Sequence, residues 1–267
     1  MHPMERLRSV ARSTGAGPSL LVPEAAAALA RLGPDPAALV TACRRLVERH
    51  PAVGPMWWLA SRVLCAADPV GEAWKVAEEI EADPTCSVVA RAVPDDAVAV
   101  VVGWPELAAD ALRRRGDVAV RAVSAGGESA GVVRHLRGAG TEADDVPDAG
   151  LGAAVASAGL VLLEASAAGP ERFAAVAGAH AAAAVGRAAG VPVWLVVGAG
   201  RGLPAALWGA LEAHVQRSAA PPWHRGVDLV PLAACDRVVG PDGSFPPGGS
   251  GTEVACPVAP ELLRPPG

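Results

Sequence analysis

The stretch Gly159–Val197 reads GLVLLEASAAGPERFAAVAGAHAAAAVGRAAGVPVWLVV, and it decides the fold. It predicts an apolar strand at Leu160–Leu163, a helix over Glu171–Ala189 that Gly190 ends, and a second apolar strand at Val193–Val197. Two strands joined by a helix run parallel, and strands that are apolar throughout belong to a sheet covered on both faces. We therefore expect an α/β fold with a parallel sheet.

The rest of the chain divides into two parts by the period of its apolar residues. From Met4 to Val89 these residues recur every three or four positions, which predicts four or five helices separated by proline-containing breaks. From about Pro94, short β-branched runs such as Ala97–Val102 alternate with helical stretches. We predict an N-terminal helical domain, residues 1–92, followed by a Rossmann-like parallel-sheet domain, residues 93–267.

Shorter signals predict the remaining strands and the end of the chain. Val118–Val123 and Leu229–Val230 are apolar runs typical of strands. The segment from Pro241 reads PDGSFPPGGSGTE, which predicts a loop or turn. The last residues, PELLRPPG, are expected to fray.

Composition and charge narrow the possible functions. The 267 residues are 51% hydrophobic and have a formal charge of −5, so we expect a buried core and no nucleic-acid partner. No apolar run reaches the roughly 18 to 20 residues that span a bilayer, and the first residues do not resemble a signal peptide. We therefore expect a cytoplasmic protein with no membrane contact. The 5 cysteines and 6 histidines are scattered, which predicts reduced cysteines and no metal site, and no motif indicates a cofactor.

Polar residues follow the first strand of the opening stretch, at the edge where α/β sheets bind ligands. Glu164 and Ser166 are two residues apart, so in an extended segment both point to the same face. A carboxylate at that edge can act as a general base, and we take Glu164 and Ser166 as candidate catalytic residues. The alternative is that Glu164 is a solvated residue at the end of a strand.

Two glycine-rich loops also follow predicted strands. Ser124, Gly126 and Gly127 precede a helix, so their N–H groups are suited to binding an anion. The alternative for this loop is a helix cap in which Ser124 and Glu128 satisfy the free N–H groups of the first turn.

The second loop comes after Val193–Val197 and contains Gly198, Gly200 and Arg201, which are candidate phosphate ligands. The alternative is a strand-ending turn, because Leu203 leaves the motif G-x-G-x-x-G incomplete.

Large and capping side chains outside these loops have structural interpretations. Trp57, Trp58 and Trp104 are expected to pack in the core or at a subunit interface rather than stack on a ligand. Asp228 and Asp236 flank a predicted strand and are expected to cap turns.

The order of these pieces resembles the translation initiation factor 2B alpha/beta/delta family, which includes methylthioribose-1-phosphate isomerase and ribose-1,5-bisphosphate isomerase. The resemblance covers roughly residues 50–245 and is strongest at Glu164-Ala165-Ser166, Gly169-Pro170 and Gly190-Val191-Pro192-Val193. It implies a helical domain followed by a Rossmann-like domain, a homodimer, and a crevice for a sugar phosphate or a nucleotide.

The residues that carry the isomerases' chemistry are changed in this chain. The resemblance places the family's cysteine at Val102 or a neighbouring residue, its acid/base aspartate at Ser166, and its asparagine–lysine pair at Ala175 and Val176. Isomerisation of an aldose phosphate needs a group that moves a proton between neighbouring carbons. We predict a non-catalytic regulatory or ligand-binding protein, a pseudoenzyme. The alternative is a diverged sugar-phosphate isomerase of the aldose–ketose type that uses Glu164 as its base.

Overall fold

The computed structural model describes residues 17–248 and 255–263 of the protein. The first 76 of these residues, 17–92, contain the helices α1 Pro18–Ala30, α2 Pro36–Arg49, α3 Gly54–Cys65, α4 Pro69–Glu81 and α5 Thr85–Ala92. The helical prediction is confirmed from residue 17 onward, and its first part, residues 4–16, lies outside the described residues. Asp35 and Asp68 cap two of the helices with their side chains, as short acidic residues do at helix starts.

Strands and helices alternate through the rest of the chain. The strands are β1 Val98–Val102, β2 Ala119–Val123, β3 Glu142–Val146, β4 Leu160–Glu164, β5 Ala167–Ala168, β6 Arg172–Val176, β7 Val193–Val196, β8 Val227–Pro231, β9 Arg237–Gly240 and β10 Gly243–Phe245. The helices are α6 Glu106–Leu112, α7 Ser129–Arg137, α8 Leu151–Ala156, α9 Ala179–Ala189, α10 Ala205–Gln216 and α11 Pro260–Leu263.

The main sheet has seven strands in the order β10-β9-β7-β4-β1-β2-β3. Every pairing in it is parallel except that of β10 with β9. Both faces are covered: Val161 and Leu163 pack into one apolar core, and Leu160 and Leu162 pack into another. The predicted fold class is confirmed: helices come first, and a Rossmann-like parallel sheet with helices on both faces follows.

The helix predicted over Glu171–Ala189 is too long at its start. Residues Arg172–Val176 form β6, which pairs antiparallel with β8 and β5 in a separate three-stranded sheet. The helix begins at Ala179, after Gly178 with φ 96°. Because the partner strand β8 lies some fifty residues further along the chain, the local apolar pattern carries no sign of this pairing. Gly190 has φ 70° and ends the helix as predicted.

Two predictions for the C-terminal residues are corrected. Gly243–Phe245, predicted as part of a loop, pairs with Arg237–Gly240 at the edge of the main sheet. Pro260–Leu263, predicted to fray, is a short helix whose Leu262 is buried in the core of the helical part. Residues 249–253 and 264–267, which these predictions also covered, lie outside the described residues.

The helical part shares one apolar core with α10 and with the small antiparallel sheet. Trp57 and Trp58 are buried in it, as expected from the sequence. Trp208 and Leu211 of α10 pack into the same core, and so does Ala167 of β5. The core of the helices is therefore completed by residues that come more than a hundred positions later.

One edge of the main sheet is acidic. Strand β3 reads EADDV, and its Glu142, Asp144 and Asp145 are exposed while Ala143 is buried. The strand escapes prediction because it lacks the apolar alternation that marks a strand. It forms because Ala119–Val123 supplies a full parallel register of five residue pairs.

None of the helices in the described part of the chain combines the length and the apolarity that crossing a bilayer requires.

Candidate functional site

The carboxyl ends of β1, β2 and β4 open into a cleft of about 920 Å³. Its walls are the segments that follow these strands, including Val102 to Asp110, Gly127 to His135, and Glu164 to Ser166. The start of α1, from Gly17 to Leu20, closes a further side. Ligands of open α/β sheets bind at this edge, so the cleft is the candidate site.

Glu164 lies at the bottom of the cleft as the last residue of β4, with 7% of its side chain exposed. One carboxylate oxygen, Oε2, accepts a 2.9 Å hydrogen bond from the N–H of Ala108. That N–H belongs to the first turn of α6, where backbone donors have no partner within the helix. The other oxygen, Oε1, lies 2.8 Å from Nη1 of Arg201. Both oxygens of Glu164 are therefore engaged by protein donors.

Arg201 is also buried, with 5% of its surface exposed. Its Nη1 donates to the carbonyl oxygen of Ala165 at 2.7 Å as well as to Glu164. Its Nη2 lies 3.6 Å from Oε2 of Glu106, so the guanidinium stands between two carboxylates. Buried charges are stable in proteins when they are paired and hydrogen-bonded in this way. The positive charge of Arg201 is balanced within the protein.

Burial raises the pKa of Glu164 above its ordinary value, while the positive charge of Arg201 and the N–H of Ala108 act to lower it. A raised carboxyl pKa favours proton transfer near neutral pH. A general base must also reach the proton that it removes, and the oxygens of Glu164 are already occupied. Burial suits Glu164 to acid–base chemistry, but each of its oxygens already accepts a hydrogen bond from the protein, which lowers its strength as a base.

Ser166 connects strands rather than facing a catalytic partner. Its Oγ donates a 3.1 Å hydrogen bond to the carbonyl oxygen of Ala174, and its N–H donates to the same oxygen. The residue lines the cleft, close to Glu164. Its hydroxyl serves the junction between β4 and the small antiparallel sheet.

The loop of Ser124, Gly126 and Gly127 lies at the rim of the cleft. Both glycines have positive φ, 77° and 91°, with open space where a side chain would point. The N–H of Gly127 donates to Oγ of Ser124 at 3.1 Å, so the serine closes the turn that precedes α7. The alternative of a cap shared with Glu128 is wrong, because that residue makes no side-chain capping hydrogen bond.

The loop Gly198–Gly202 is divided between two cavities. The side chain of Arg201 reaches the cleft, whereas Gly198 and Gly200 line a second cavity of about 500 Å³. Gly200 has φ 69°, and an added Cβ there would lie 2.5 Å from the Trp58 ring. The structure therefore brings Gly127, Glu164, Ser166 and Arg201 together in the cleft and leaves Gly198 and Gly200 at the second cavity.

Several cleft residues were not predicted as site residues, and Trp104, Asp110 and His135 are among them. Trp104, expected in a core or interface, lines the cleft with 47% of its surface exposed. Asp110 and His135 face each other across α6 and α7, with Oδ1 and Nε2 separated by 2.9 Å. The spacing of Glu106 and Asp110, one helical turn apart just after β1, is a signal that predicts a shared face.

The two aspartates expected to cap turns bind backbone N–H groups. Asp228 accepts from Gly178 and His180 at the start of α9, at 2.9 and 3.0 Å. Asp236 accepts from Val193 at the start of β7, at 2.8 Å.

The fold and the cleft define a class of protein: a helical segment that packs on α10 and the small antiparallel sheet, followed by a Rossmann-like sheet with a candidate site at the carboxyl edge of its strands. No family model matches the sequence, and no curated protein matches it.

Solved structures of initiation factor subunits share this fold. The translation initiation factor eIF-2B of Pyrococcus horikoshii OT3 superposes with a TM-score of 0.77 and 15% identity, over 92% of this chain and 97% of that chain. A chain of the tetrameric eIF2B-beta2-delta2 complex from Chaetomium thermophilum gives 0.71 and 16%, over 91% and 90%. The eIF2B beta structure from the same organism gives 0.68 and 16%, over 91% and 86%. At such low identity, these similarities establish the fold.

Proposed function

We propose that this protein is a non-catalytic, regulatory or ligand-binding member of the eIF2B-like fold. The observation that carries the proposal is the state of Glu164, whose two carboxylate oxygens are bound by Arg201 and the N–H of Ala108. Each of these hydrogen bonds takes one lone pair of its oxygen and competes with a substrate proton, which weakens Glu164 as a general base.

The apolar residues at neighbouring positions support the same proposal. Val102 and Val176 line the cleft, at positions that the family resemblance gives to a cysteine and a lysine. Ala175 is buried in the core. Ser166, at the position of the family's aspartate, donates its hydroxyl hydrogen to Ala174. Loss of a single acid or base lowers a rate by about 10² to 10⁴, so the joint loss argues against isomerisation.

The cellular setting follows from the fold by analogy. One of the similar structures is described as a tetrameric complex of eIF2B beta and delta. We propose that this chain works as a homodimer or within a complex in the cytoplasm, with a boundary near residue 92 between its helical and Rossmann-like domains.

Turnover assays test the proposal directly. The purified protein is incubated with methylthioribose 1-phosphate and with ribose 1,5-bisphosphate, and the ketose product is followed by NMR. We expect no product above the rate in buffer. Product formation that Glu164→Gln abolishes would overturn the proposal in favour of an isomerase.

That isomerase, with Glu164 as its base, is the second candidate function. The raised pKa of Glu164 is the observation that favours it. Arg201→Lys changes the cation beside Oε1 of Glu164, so in an isomerase it should change the pH profile of turnover.

A further inference from the structure

Carboxylates outnumber guanidinium groups among the described residues that line the cleft. The carboxylates are those of Glu106, Asp110, Glu128 and Glu164, and the guanidinium groups are those of Arg134 and Arg201. His135 is the remaining titratable side chain, and its Nε2 faces Asp110. The formal charge of this lining is therefore negative when His135 is neutral.

The two guanidinium groups are not equivalent. Arg201 is buried and lies between Glu164 and Glu106, so its charge is balanced before any ligand enters. Arg134 is exposed on α7, where water screens its charge. Glu128, at the start of the same helix, is also exposed. An incoming phosphate would meet a balanced arginine and a carboxylate beside the glycine loop, and this arrangement disfavours anions.

Trp104 adds an aromatic surface to the same cleft. Nearly half of the indole is exposed, although large apolar side chains are usually covered. The ring lies against α7, where an added Cβ on Gly131 would be 2.6 Å from it. The glycine lets the ring approach the helix closely, and this packing limits its movement. Leu20, 68% exposed, adds an apolar side chain to the cleft lining.

A fixed aromatic ring together with an excess of carboxylates is the arrangement that recognises organic cations. An ammonium or guanidinium group is attracted to the face of a tryptophan ring, and more strongly where water is excluded. Carboxylates that line the same cleft attract the positive charge of such a ligand as well.

Building on the proposed ligand-binding role, we propose that the cleft binds a small organic cation, an alkylammonium or guanidinium compound. Its positive group lies over Trp104, with Glu106 and Glu128 on the acidic side, and its carbon atoms contact Leu20. The proposed ligand is a cation, whereas the sugar phosphate or nucleotide that the family resemblance implies is an anion.

Isothermal titration at low salt tests this, with choline and agmatine as cationic probes and ribose 5-phosphate and inorganic phosphate as anionic probes. We expect the cations to bind more tightly than the anions. Trp104→Leu should weaken cation binding about fivefold, whereas Trp104→Phe, which keeps an aromatic face, should weaken it less.

A matched pair of exposed charges gives a second test. Glu128→Gln should weaken cation binding by about twofold to fivefold, and Arg134→Gln should strengthen it by a similar factor. Both residues are exposed, so neither change should unfold the protein.

Three outcomes would overturn the inference: tighter binding of the phosphates, no binding of either cation, or equal cation binding by the wild type and Trp104→Leu. These binding outcomes can be told apart from failure of the proposed non-catalytic function, because that failure would appear as product formation in the turnover assay. Phosphate binding without turnover would reject the cation and leave the non-catalytic role standing.

Discussion

The N–H of Gly54 donates a 2.8 Å hydrogen bond to the carbonyl oxygen of Ser166. The bond joins the first turn of α3 to the residue that follows β4 by two positions, just beside Glu164. The backbone of α3 approaches so closely because Gly54 has no side chain: an added Cβ would lie 3.0 Å from the carbonyl oxygens of Ser166 and Arg201. The helical part is thus attached directly to the bottom of the cleft.

We expect Gly54→Ala to destabilise the protein by about 1 to 3 kcal/mol, because the added methyl group overlaps backbone atoms that cannot easily move. The free energy of unfolding, measured by urea denaturation, checks this. Gly209→Ala is the matched control, since Gly209 lies in α10 with open space around its Cβ position. The control should be neutral or stabilising by up to about 1 kcal/mol. Equal stability of Gly54→Ala and the wild type would contradict the close packing.

Removing the guanidinium of Arg201 should be severe. Arg201→Met leaves Glu164 buried without its cation, and we expect a loss of about 3 kcal/mol in the free energy of unfolding. Adding Glu164→Leu to this variant removes the unpaired carboxyl and should recover part of the loss. Arg134→Met, at an exposed position, is the control and should change stability by less than about 0.5 kcal/mol. A loss no larger than that of the control would mean that the pair does not stabilise the fold.

The raised pKa of Glu164 predicts a definite dependence of stability on pH. The folded protein holds this proton more tightly than the unfolded chain, whose carboxyl has the ordinary pKa of 4.5. The contribution of Glu164 is therefore favourable below pH 4.5 and is lost as pH rises through the raised pKa. Relative to Glu164→Gln, the wild type should become less stable as pH rises above 4.5 and through the raised pKa. Denaturation curves of both proteins across this range check the sign, and the opposite trend would mean that Arg201 outweighs burial.

Thiol reactivity should separate the five cysteines. Burial raises the pKa of Cys43 and Cys235 to about 12, and both are shielded from solvent. Cys65 is the exposed cysteine, at the end of α3. Iodoacetamide at pH 8 should therefore label Cys65 first, because alkylation needs an accessible thiolate. Peptide mass spectrometry follows the labelling.

Two controls sharpen this prediction. Cys65→Ser should remove the fast phase, and unfolding in urea should expose every cysteine to the reagent. Rapid labelling of Cys43 in the folded protein would contradict the packing of α2 against its neighbours.

The sequence predicts those elements whose signals are local. The helices of residues 17–92 follow from apolar residues that recur every three or four positions. The strands Val98–Val102 and Leu160–Glu164 follow from continuous apolar runs, and Gly190 marks a helix end by its conformation. Strand β6 could not be found in this way, since it exists through its pairing with Val227–Pro231.

In the candidate site, too, the sequence predicts what depends on local signals and does not predict what depends on long-range contacts. That Glu164 lies at the ligand-binding edge follows from its place after an apolar strand. Its pairing with Arg201 does not, because the two residues are 37 positions apart and meet through the turn that follows β7. The position of Trp104 likewise depends on its contact with Gly131 of α7. This is a tertiary contact, and the local sequence around either residue does not predict it.

The acidic edge of the main sheet has a consequence for assembly. A second copy that extended the sheet by pairing at β3 would bring Glu142, Asp144 and Asp145 close to their own counterparts. Like charges on adjacent strands repel, and charged edge strands are a common protection against such pairing. The acidic side chains of β3 therefore disfavour a dimer in which the β3 strands of two copies pair with each other.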